Sequence, residues 1–388
     1  MSVKIEIPEP KWNSGLARSV LDLEKLRTKT LYSEVPPYIF FQLKEIFQLL
    51  ETLGSARIEG NGTTLSEFIE KIIDNDKIVD EERQELENIE KAIRFIEEHT
   101  NETSNIDRAY ISQLHRIVTN NLTPPPQGEG SRYSGELRKN NVSIKGAIHK
   151  PISIQVLQEH FESFITFVNQ QHLEQNQLLM VAIAHHRFMH IHPFDNGNGR
   201  MGRLLNYAFL IKLGFNVKSE RIINPSSVFY TDRDKYYEML GKADSLVDED
   251  LLLWSEYFLD GLKNEIEKID SLMQLEFTRD KILLPTIKIA LDRENITKQE
   301  FDILSYLVKS EDMTIKSSDL NKFGINSSQQ KSYVMTKLRN NKMVQPITEG
   351  GRIYTIRFAN NYLLRGVIHT LKESGFIADF LNNNIAPV

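Results

Sequence analysis

The sequence predicts a mainly α fold in which a helical bundle is followed by a smaller C-terminal domain of helices and one hairpin. Apolar residues recur at helical spacing through most of the first 260 residues. The run 178–184 is apolar around nearly its whole circumference, as expected of a buried central helix. Near the C-terminus, three helical segments precede an alternating run, 343–358, that turns at Glu349-Gly350-Gly351. Three helices followed by such a wing predict a winged-helix domain.

Residues 1–100 are predicted to form an N-terminal helical region, and residues 101–260 a catalytic core. In the first region, apolar periodicity indicates helices at 38–53, 65–73 and 81–99. In the second, the same signal indicates helices at 107–118, 157–169, 177–189 and 204–213, and prolines at 124–126 break the chain after the first of these. The short alternating runs 133–138 and 142–149 predict a β-hairpin, which taken alone is also compatible with a plain surface hairpin.

Residues 261–290 are predicted to be a helical connector, and residues 291–388 a winged-helix-like domain. Its three helices are expected at 296–308, 317–323 and 327–340. The third helix and its end carry Lys331, Lys337, Arg339 and Lys342 without an acidic residue between them, a pattern compatible with DNA phosphates. Four cations are also what a solvated helix face looks like, so a protein-docking or dimerisation role is favoured over DNA binding.

Composition excludes several classes of protein. The chain has 47 Lys and Arg against 53 Asp and Glu, a net charge of −6, which argues against a globally basic nucleic-acid binder. It has no cysteine, so a disulfide framework, thiol chemistry and cysteine-zinc sites are excluded. The N-terminus lacks an apolar signal core, and no segment approaches about 18 uninterrupted apolar residues. We therefore expect a cytoplasmic protein that does not bind membranes.

The stretch 192–203, HPFDNGNGRMGR, combines the residue types that nucleotide chemistry needs. Backbone N–H groups of a glycine-rich turn that opens a helix can cradle phosphate. Arg200 and Arg203 share one face of that helix, so both can donate to phosphate oxygens. Asp195 is the candidate ligand of a Mg²⁺ already held by phosphates. His192 has an ordinary pKa near neutrality, which suits a general base.

A zinc site is a weaker interpretation of the histidines in this part of the chain. His186 and His190 have the spacing of two ligands on one helix face, but Arg187 stands where the HExxH motif has its glutamate. We therefore expect His185, His186 and His190 to pack and to orient the following loop. The stretch 192–203 also lacks the Walker A and GxGxxG signatures.

The stretch 192–203 resembles the signature of Fic-domain proteins, usually written HPFx[D/E]GNGRxxR. The acidic residue stands one position earlier than in many relatives, because Asn196 occupies the place directly before Gly197. The resemblance covers about residues 15–260 and implies a Fic-type helical bundle with a β-hairpin flap. Proteins of this family transfer part of a nucleotide, most often AMP from ATP, to a Tyr, Ser or Thr hydroxyl of a target protein.

The resemblance also implies roles for individual residues. His192 would deprotonate the target hydroxyl, Asp195 would hold Mg²⁺, and Arg203 would reach the γ-phosphate. The segment 232–240 resembles the family's NRxxYYxxL run, whose first tyrosine, here Tyr236, contacts the nucleotide base. The implied ATP-binding residues are Gly197, Asn198, Gly199, Arg200, Met201, Gly202, Arg203, Asn206 and Tyr236. The implied flap residues, which would align a target segment by strand addition, are Val142, Ser143, Ile144 and Lys145.

An upstream segment, GSARIEGN, resembles the family's inhibitory motif, [S/T]xxxE[G/N]. Its Ser55 and Glu59 are four residues apart and share one face of a short helix. In inhibited relatives the glutamate pairs with the second arginine of the main motif, here Arg203, and so occupies the cation that the γ-phosphate needs. Taken alone, the same pattern is also that of a helix C-terminus closed by Gly60.

We therefore expect a protein adenylyltransferase that transfers AMP from Mg-ATP to a target protein or to itself and is autoinhibited by Glu59. ATP would be its substrate and Mg²⁺ its cofactor. Two alternatives stay open. The same site could remove AMP or use another nucleotide, or the chain could be a nucleotide-sensing transcriptional regulator that acts through the winged helix. A homodimer is compatible with the sequence.

Overall fold

A computed structural model describes residues 4–28, 34–74, 80–144, 149–215, 217 and 221–382. Its α-helices are α1 Gly15–Thr28, α2 Pro37–Ile58, α3 Leu65–Asp74, α4 Glu81–His99, α5 Arg108–Val118, α6 Ile154–Asn169, α7 Gln177–Ile191, α8 Asn198–Lys212, α9 Ser227–Tyr230, α10 Arg233–Ala243, α11 Asp248–Asp270, α12 Leu275–Phe277, α13 Leu284–Asp292, α14 Lys298–Lys309, α15 Ser328–Asn340 and α16 Leu363–Glu373. The strands are β1 Thr314–Lys316, β2 Val344–Pro346 and β3 Ile353–Ile356. The prediction of a mainly α fold is confirmed. None of the described helices has both the length and the apolar character needed to cross a membrane.

Helix α7 is the centre of the bundle. Residues 178–184 are all at most 3% exposed, and α7 packs against α6, α8 and α11. Trp254 of α11 donates from its indole nitrogen to the carbonyl oxygen of Ala182 at 2.7 Å, which fixes α11 on α7 and satisfies a buried donor. Because α7 is held on three sides, its C-terminal turn is a rigid base for the loop that follows Ile191.

Helix α2 brings the second predicted motif to the bundle. It is a 22-residue helix whose last three turns are almost fully buried, and it packs against α4, α8 and α9. The helix ends at Ile58, and Glu59 is its C-terminal cap residue. Ser55 and Glu59 are therefore delivered to the start of α8, as their helical spacing predicts.

The C-terminal part contains the predicted order of elements, although the second predicted helix is a 3-10 helix, Ser317–Phe323. The strands form one antiparallel sheet with the order β1-β3-β2, in which Thr314 pairs with Thr355 and Val344 with Ile356. Gln42 of α2 donates to the Ile356 carbonyl oxygen at 2.9 Å and so ties this sheet to the N-terminal region.

The predicted hairpin flap is wrong in the part that the structure describes. The run 133–138 begins with a turn rather than a strand, and 142–144 is irregular. Gly135 adopts a left-handed conformation with a φ of 80°, and its N–H donates to Nδ1 of His115 at 2.8 Å. A side chain therefore takes the backbone donor that a strand ladder would have used. The flap residues Val142, Ser143 and Ile144 are exposed or half-buried, and Lys145 lies outside the described residues.

Candidate active site

The loop between α7 and α8 is held in one conformation by side chains of the motif itself. His192 caps α7 with a left-handed φ of 51°, and Gly197 precedes α8 with a φ of 77°. Asn198 bridges the loop, since its Oδ1 accepts from Phe194 N at 3.0 Å and its Nδ2 donates to Phe194 O at 2.9 Å. The buried Arg138 donates from Nε to the His192 carbonyl oxygen at 2.9 Å. The loop is therefore preorganised rather than a solvated turn.

His192 has the protonation state that a general base needs. Its burial, followed by the nearby charge of Arg138, lowers its pKa to about 4, so the imidazole is neutral at neutral pH. Its Nδ1 is buried and has no hydrogen-bond partner among the residues that the structure describes. The side chain can therefore accept a proton from a bound hydroxyl.

Asp195 lies at the edge of the loop and contacts a segment that the sequence analysis did not connect with it. Its carboxylate accepts hydrogen bonds from the Ser131 hydroxyl and from the backbone N–H of Arg132, the second at 2.9 Å. Asn196, in the position where many relatives have the acidic residue, directs its side chain to Gly128 O and to a Glu129 oxygen, both at 3.4 Å. A single carboxylate fits Mg²⁺, which proteins commonly hold through one or two carboxylates and the phosphates of the substrate.

Arg200 is fully buried and paired with two carboxylates that sequence reasoning missed. One guanidinium nitrogen lies 2.8 Å from Glu85 of α4, and another lies 3.1 Å from Glu129 and 2.7 Å from its carbonyl oxygen. Burial raises the pKa of Glu85 to about 7, against the opposing effect of Arg200. Glu85 lies on the buried face of α4, which is otherwise mostly apolar, and a charged residue at a core position is the signal that could have found it.

Arg203 is paired with the two residues of the upstream motif. Its Nη2 lies 2.6 Å from Glu59 Oε1 and donates to the Ser55 carbonyl oxygen at 2.9 Å, and its Nε donates to Ser55 Oγ at 2.9 Å. Burial acts to raise the pKa of Glu59, but the positive charge of Arg203 outweighs it and the net pKa is lowered. Glu59 is therefore held as a carboxylate.

The carboxylate of Glu59 occupies the place where the sequence predicts phosphate. A Cβ added to Gly199, in the first turn of α8, would lie only 2.0 Å from Glu59 Oε1 and 3.2 Å from an Arg203 nitrogen. The glycine thus lets the carboxylate approach the backbone at the N-terminus of a helix, where N–H groups and the helix dipole favour an anion. A carboxylate of the chain itself therefore lies against Gly199 in the first turn of α8.

Four of the predicted nucleotide contacts make packing or hydrogen-bond contacts within the chain. Met201 is fully buried, and its N–H donates to the Gly197 carbonyl oxygen at 3.0 Å. A Cβ on Gly202 would lie 3.1 Å from Met189 Sδ, so this glycine allows α8 to approach α7. The other two are Asn206, whose Nδ2 lies 2.9 Å from His185 Nδ1, and Tyr236, whose hydroxyl lies 3.1 Å from His185 Nε2. His185 is buried among them, which agrees with its predicted packing role.

Both tyrosines of the YY pair lie near the charge of Arg203, and they differ in how far they are buried. Tyr236 is fully buried among the rings of Phe229 and Trp254. Tyr237 is 42% exposed, its ring lies 5.5 Å from the Arg233 guanidinium, and burial together with the nearby Glu59 raises its pKa. Adjacent helical residues point about 100° apart, so one member of such a pair is expected inside and one outside, but the sequence does not say which.

Comparison with known proteins finds similarity in the part of the chain that contains this site. Residues 105–210 match the Fic/DOC family. The chain is 31% identical over 196 residues to "Protein adenylyltransferase Fic" of Drosophila erecta, and 30% identical over the same length to the protein of that name from Aedes aegypti. Each alignment covers 49% of this chain and 36% of the relative, so the chain spans about a third of the length of the curated relatives it matches.

Solved structures share the fold at low sequence identity. A Fic family protein from Desulfovibrio desulfuricans aligns with a TM-score of 0.54 at 16% identity, covering 91% of this chain and 98% of the other. A Fic-domain-containing signaling protein from Bacteroides thetaiotaomicron aligns with a TM-score of 0.52 at 18% identity, covering 67% of this chain and 98% of the other. The protein thus has a fold of the Fic class. The motif 192–203 lies within residues 105–210, the part of the chain that matches the Fic/DOC family.

Proposed function

We propose that this chain is a protein adenylyltransferase that transfers AMP from Mg-ATP to a Tyr, Ser or Thr hydroxyl of a target protein, and that Glu59 holds it in an inhibited state. The observation that carries the proposal is the Glu59 carboxylate in the anion nest at the start of α8, 2.6 Å from Arg203. A guanidinium that binds one carboxylate at the N-terminus of a helix offers the donors that a terminal phosphate needs. The names of the two curated relatives support the reaction type.

The chain's own residues suggest how the reaction would proceed. The backbone of the nest and Arg203 would hold the phosphates, so that the α-phosphorus faces His192. Neutral His192 would take the proton of the target hydroxyl as its oxygen attacks that phosphorus, and pyrophosphate would leave. Mg²⁺ bound near Asp195 would neutralise part of the phosphate charge. Catalysis would therefore rest on positioning and charge stabilisation by groups already fixed in the loop.

Inhibition follows from competition for one cation. Glu59 fills the nest and pairs with Arg203, so a γ-phosphate can bind there only if Glu59 leaves. Glu59 is the cap residue at the end of α2, and its side chain is 26% exposed. A change confined to the last turn of α2 would therefore suffice to release the site.

The proposed domain arrangement follows the predicted boundaries, with a regulatory helical region at 1–100, the catalytic core at 101–260, a connector at 261–290 and a winged-helix domain at 291–388. The described part of the last region does not favour DNA binding. Lys337, one of the four basic residues that could meet phosphates, forms an ion pair with Glu300 at 2.9 Å. We therefore propose a protein-binding role for this domain, and a cytoplasmic location for the chain.

The test of the proposed activity is transfer of label from ATP to protein in the presence of Mg²⁺ and a cell lysate. ATP labelled at the α-phosphate should label protein in Glu59→Gly, much less in the unaltered chain, and not in Glu59→Gly combined with His192→Ala. ATP labelled at the γ-phosphate should give no labelling above that of the lysate without the chain, since in AMP transfer the label leaves with pyrophosphate and the remaining labelling comes from protein kinases. Glu136→Gly, which changes an exposed loop glutamate, should behave like the unaltered chain.

Each other outcome has a definite meaning. Labelling from the γ-phosphate that depends on this chain would show that it transfers a phosphoryl group rather than AMP. Labelling by another nucleotide but not by ATP would support the proposed site but identify a different nucleotide as its substrate. No transfer from any nucleotide by Glu59→Gly, together with release of AMP when the unaltered chain is added to a protein that was adenylylated beforehand, would favour removal of AMP.

A further inference from the structure

A cluster of metal-binding side chains lies beside the candidate active site and is used by none of the steps above. His149 precedes α6, His190 lies in the last turn of α7 two residues before His192, and Asp244 caps the C-terminus of α10. One ligand atom from each of His149, His190 and Asp244 lies within 4.8 Å of the other two. Three segments that are far apart in sequence thus converge on one point.

The spacing of these groups is close to that of a tetrahedral metal site. His149 Nδ1 lies 3.8 Å from one Asp244 oxygen, and His186 Nε2 lies 3.0 Å from the other. The ring centroids of His149 and His190 are 4.4 Å apart. A zinc ion with bonds of roughly 2.0 to 2.1 Å holds its ligand atoms roughly 3.4 Å apart, so small side-chain rotations would bring the three ligands into place.

The chemistry of the cluster selects a class of ion. Two imidazoles and one carboxylate form the mixed nitrogen and oxygen donor set that suits zinc and related transition metals, whereas Mg²⁺ prefers oxygen ligands alone.

We propose that His149, His190 and Asp244 bind one divalent transition-metal ion of the zinc class, with His186 orienting the carboxylate through its 3.0 Å contact with the second oxygen of Asp244. Groups that hold a metal ligand in this way fix its direction. The ion would connect the end of α7, the end of α10 and the segment before α6. It would stiffen the base of the loop that carries His192. The inference does not depend on the proposed AMP transfer.

The sequence showed only part of this cluster. The spacing of His186 and His190 suggested two ligands on one helix face, but the HExxH glutamate is missing. The other two ligands of the proposed site are His149 and Asp244, which are 41 and 54 residues from His190. Sequence spacing cannot show contacts between segments separated by whole helices.

The test is metal binding by the full chain, freed of any histidine tag and of bound metal. Titration calorimetry with Zn²⁺ should show one site per chain, and Co²⁺ should give the visible absorption of a four-coordinate nitrogen and oxygen site. His149→Ala and Asp244→Asn should each weaken Zn²⁺ binding at least 10-fold to 100-fold. His369→Ala, which removes an exposed histidine on α16, should bind Zn²⁺ like the unaltered chain.

Two further measurements distinguish this metal site from the proposed Mg²⁺ position and from a loss of folding. Asp195→Asn, at the proposed Mg²⁺ position, should leave Zn²⁺ binding unchanged, and millimolar Mg²⁺ should not displace Zn²⁺. His149→Ala also removes the 3.0 Å contact of His149 Nε2 with the His190 carbonyl oxygen, so the measurement is the increase in melting temperature on addition of Zn²⁺, which this variant should lose. Absence of Zn²⁺ binding by the unaltered chain, or equal binding by His149→Ala and Asp244→Asn, would overturn the proposal.

Discussion

Replacing Glu59 by glutamine should raise the affinity of this chain for ATP. The change keeps the side chain's size but removes the charge that lies 2.6 Å from Arg203 Nη2. A hydrogen bond between charged groups contributes about 1.5 to 3 kcal/mol, and ATP must replace this one when its γ-phosphate reaches Arg203. Since Glu59 is 26% exposed, solvent screening favours the lower half of that range. We expect ATP to bind roughly 10- to 50-fold more tightly, at about 1.4 kcal/mol for each factor of ten.

Calorimetric titration of the unaltered chain and of Glu59→Gln with ATP and with AMP would measure this effect. AMP lacks the β- and γ-phosphates, so its affinity should not change, and the gain should appear only for ATP. Glu136→Gln, a change in an exposed loop, controls for a general effect of lost negative charge. An equal gain for AMP and ATP, or no gain for either, would refute competition between Glu59 and the terminal phosphate for Arg203.

Two further predictions concern stability, measured by urea unfolding. Burial raises the pKa of Glu51 from 4.5 to about 7, although Ser226 donates two hydrogen bonds to it, so the native state holds this proton more tightly than the unfolded chain. Its contribution to stability should therefore fall by up to about 3 kcal/mol as the pH rises from about 4.5 to 7, and Glu51→Gln should remove that part of the pH dependence. A Cβ on Gly54 would lie 2.2 Å from the Tyr230 ring, so Gly54→Ala should destabilise by about 1 to 3 kcal/mol, whereas Gly241→Ala, with open space around it, should not. A parallel pH dependence in Glu51→Gln, or equal effects of the two glycine changes, would contradict these arguments.

Long periodic segments were predictable from the sequence because helix formation and burial follow from one local pattern. The helix predicted at 81–99 coincides with α4, and that at 177–189 lies within α7. The loop before α8 was also predictable, because the glycines, asparagines and arginines of the stretch 192–203 have few uses in combination, although α8 begins at Asn198 rather than at the predicted 204. Ser55, Glu59 and Arg203 meet as the two motifs together indicated.

Contacts that depend on distant segments were not predictable. The alternation at 133–138 is the pattern of a strand, but His115 of α5 takes the N–H of Gly135 and a turn forms instead. Glu85 and Glu129 hold Arg200, and neither stands near the motif in sequence. In each case a single tertiary hydrogen bond or ion pair decides the outcome, and no local pattern encodes it.

The two arginines of the motif differ in how readily their carboxylates can be exchanged for phosphate. Arg200 is fully buried and Glu85 is 4% exposed, so separating them would leave an uncompensated buried charge at a cost of about 3 to 5 kcal/mol. Arg203 keeps its hydrogen bonds to Ser55 Oγ and Ser55 O when Glu59 leaves, and Glu59 can turn into solvent. The cost of exchange is therefore lower at Arg203. We infer that Arg200 stays with Glu85 in every state of the site, and that nucleotide and Glu59 compete for Arg203 alone.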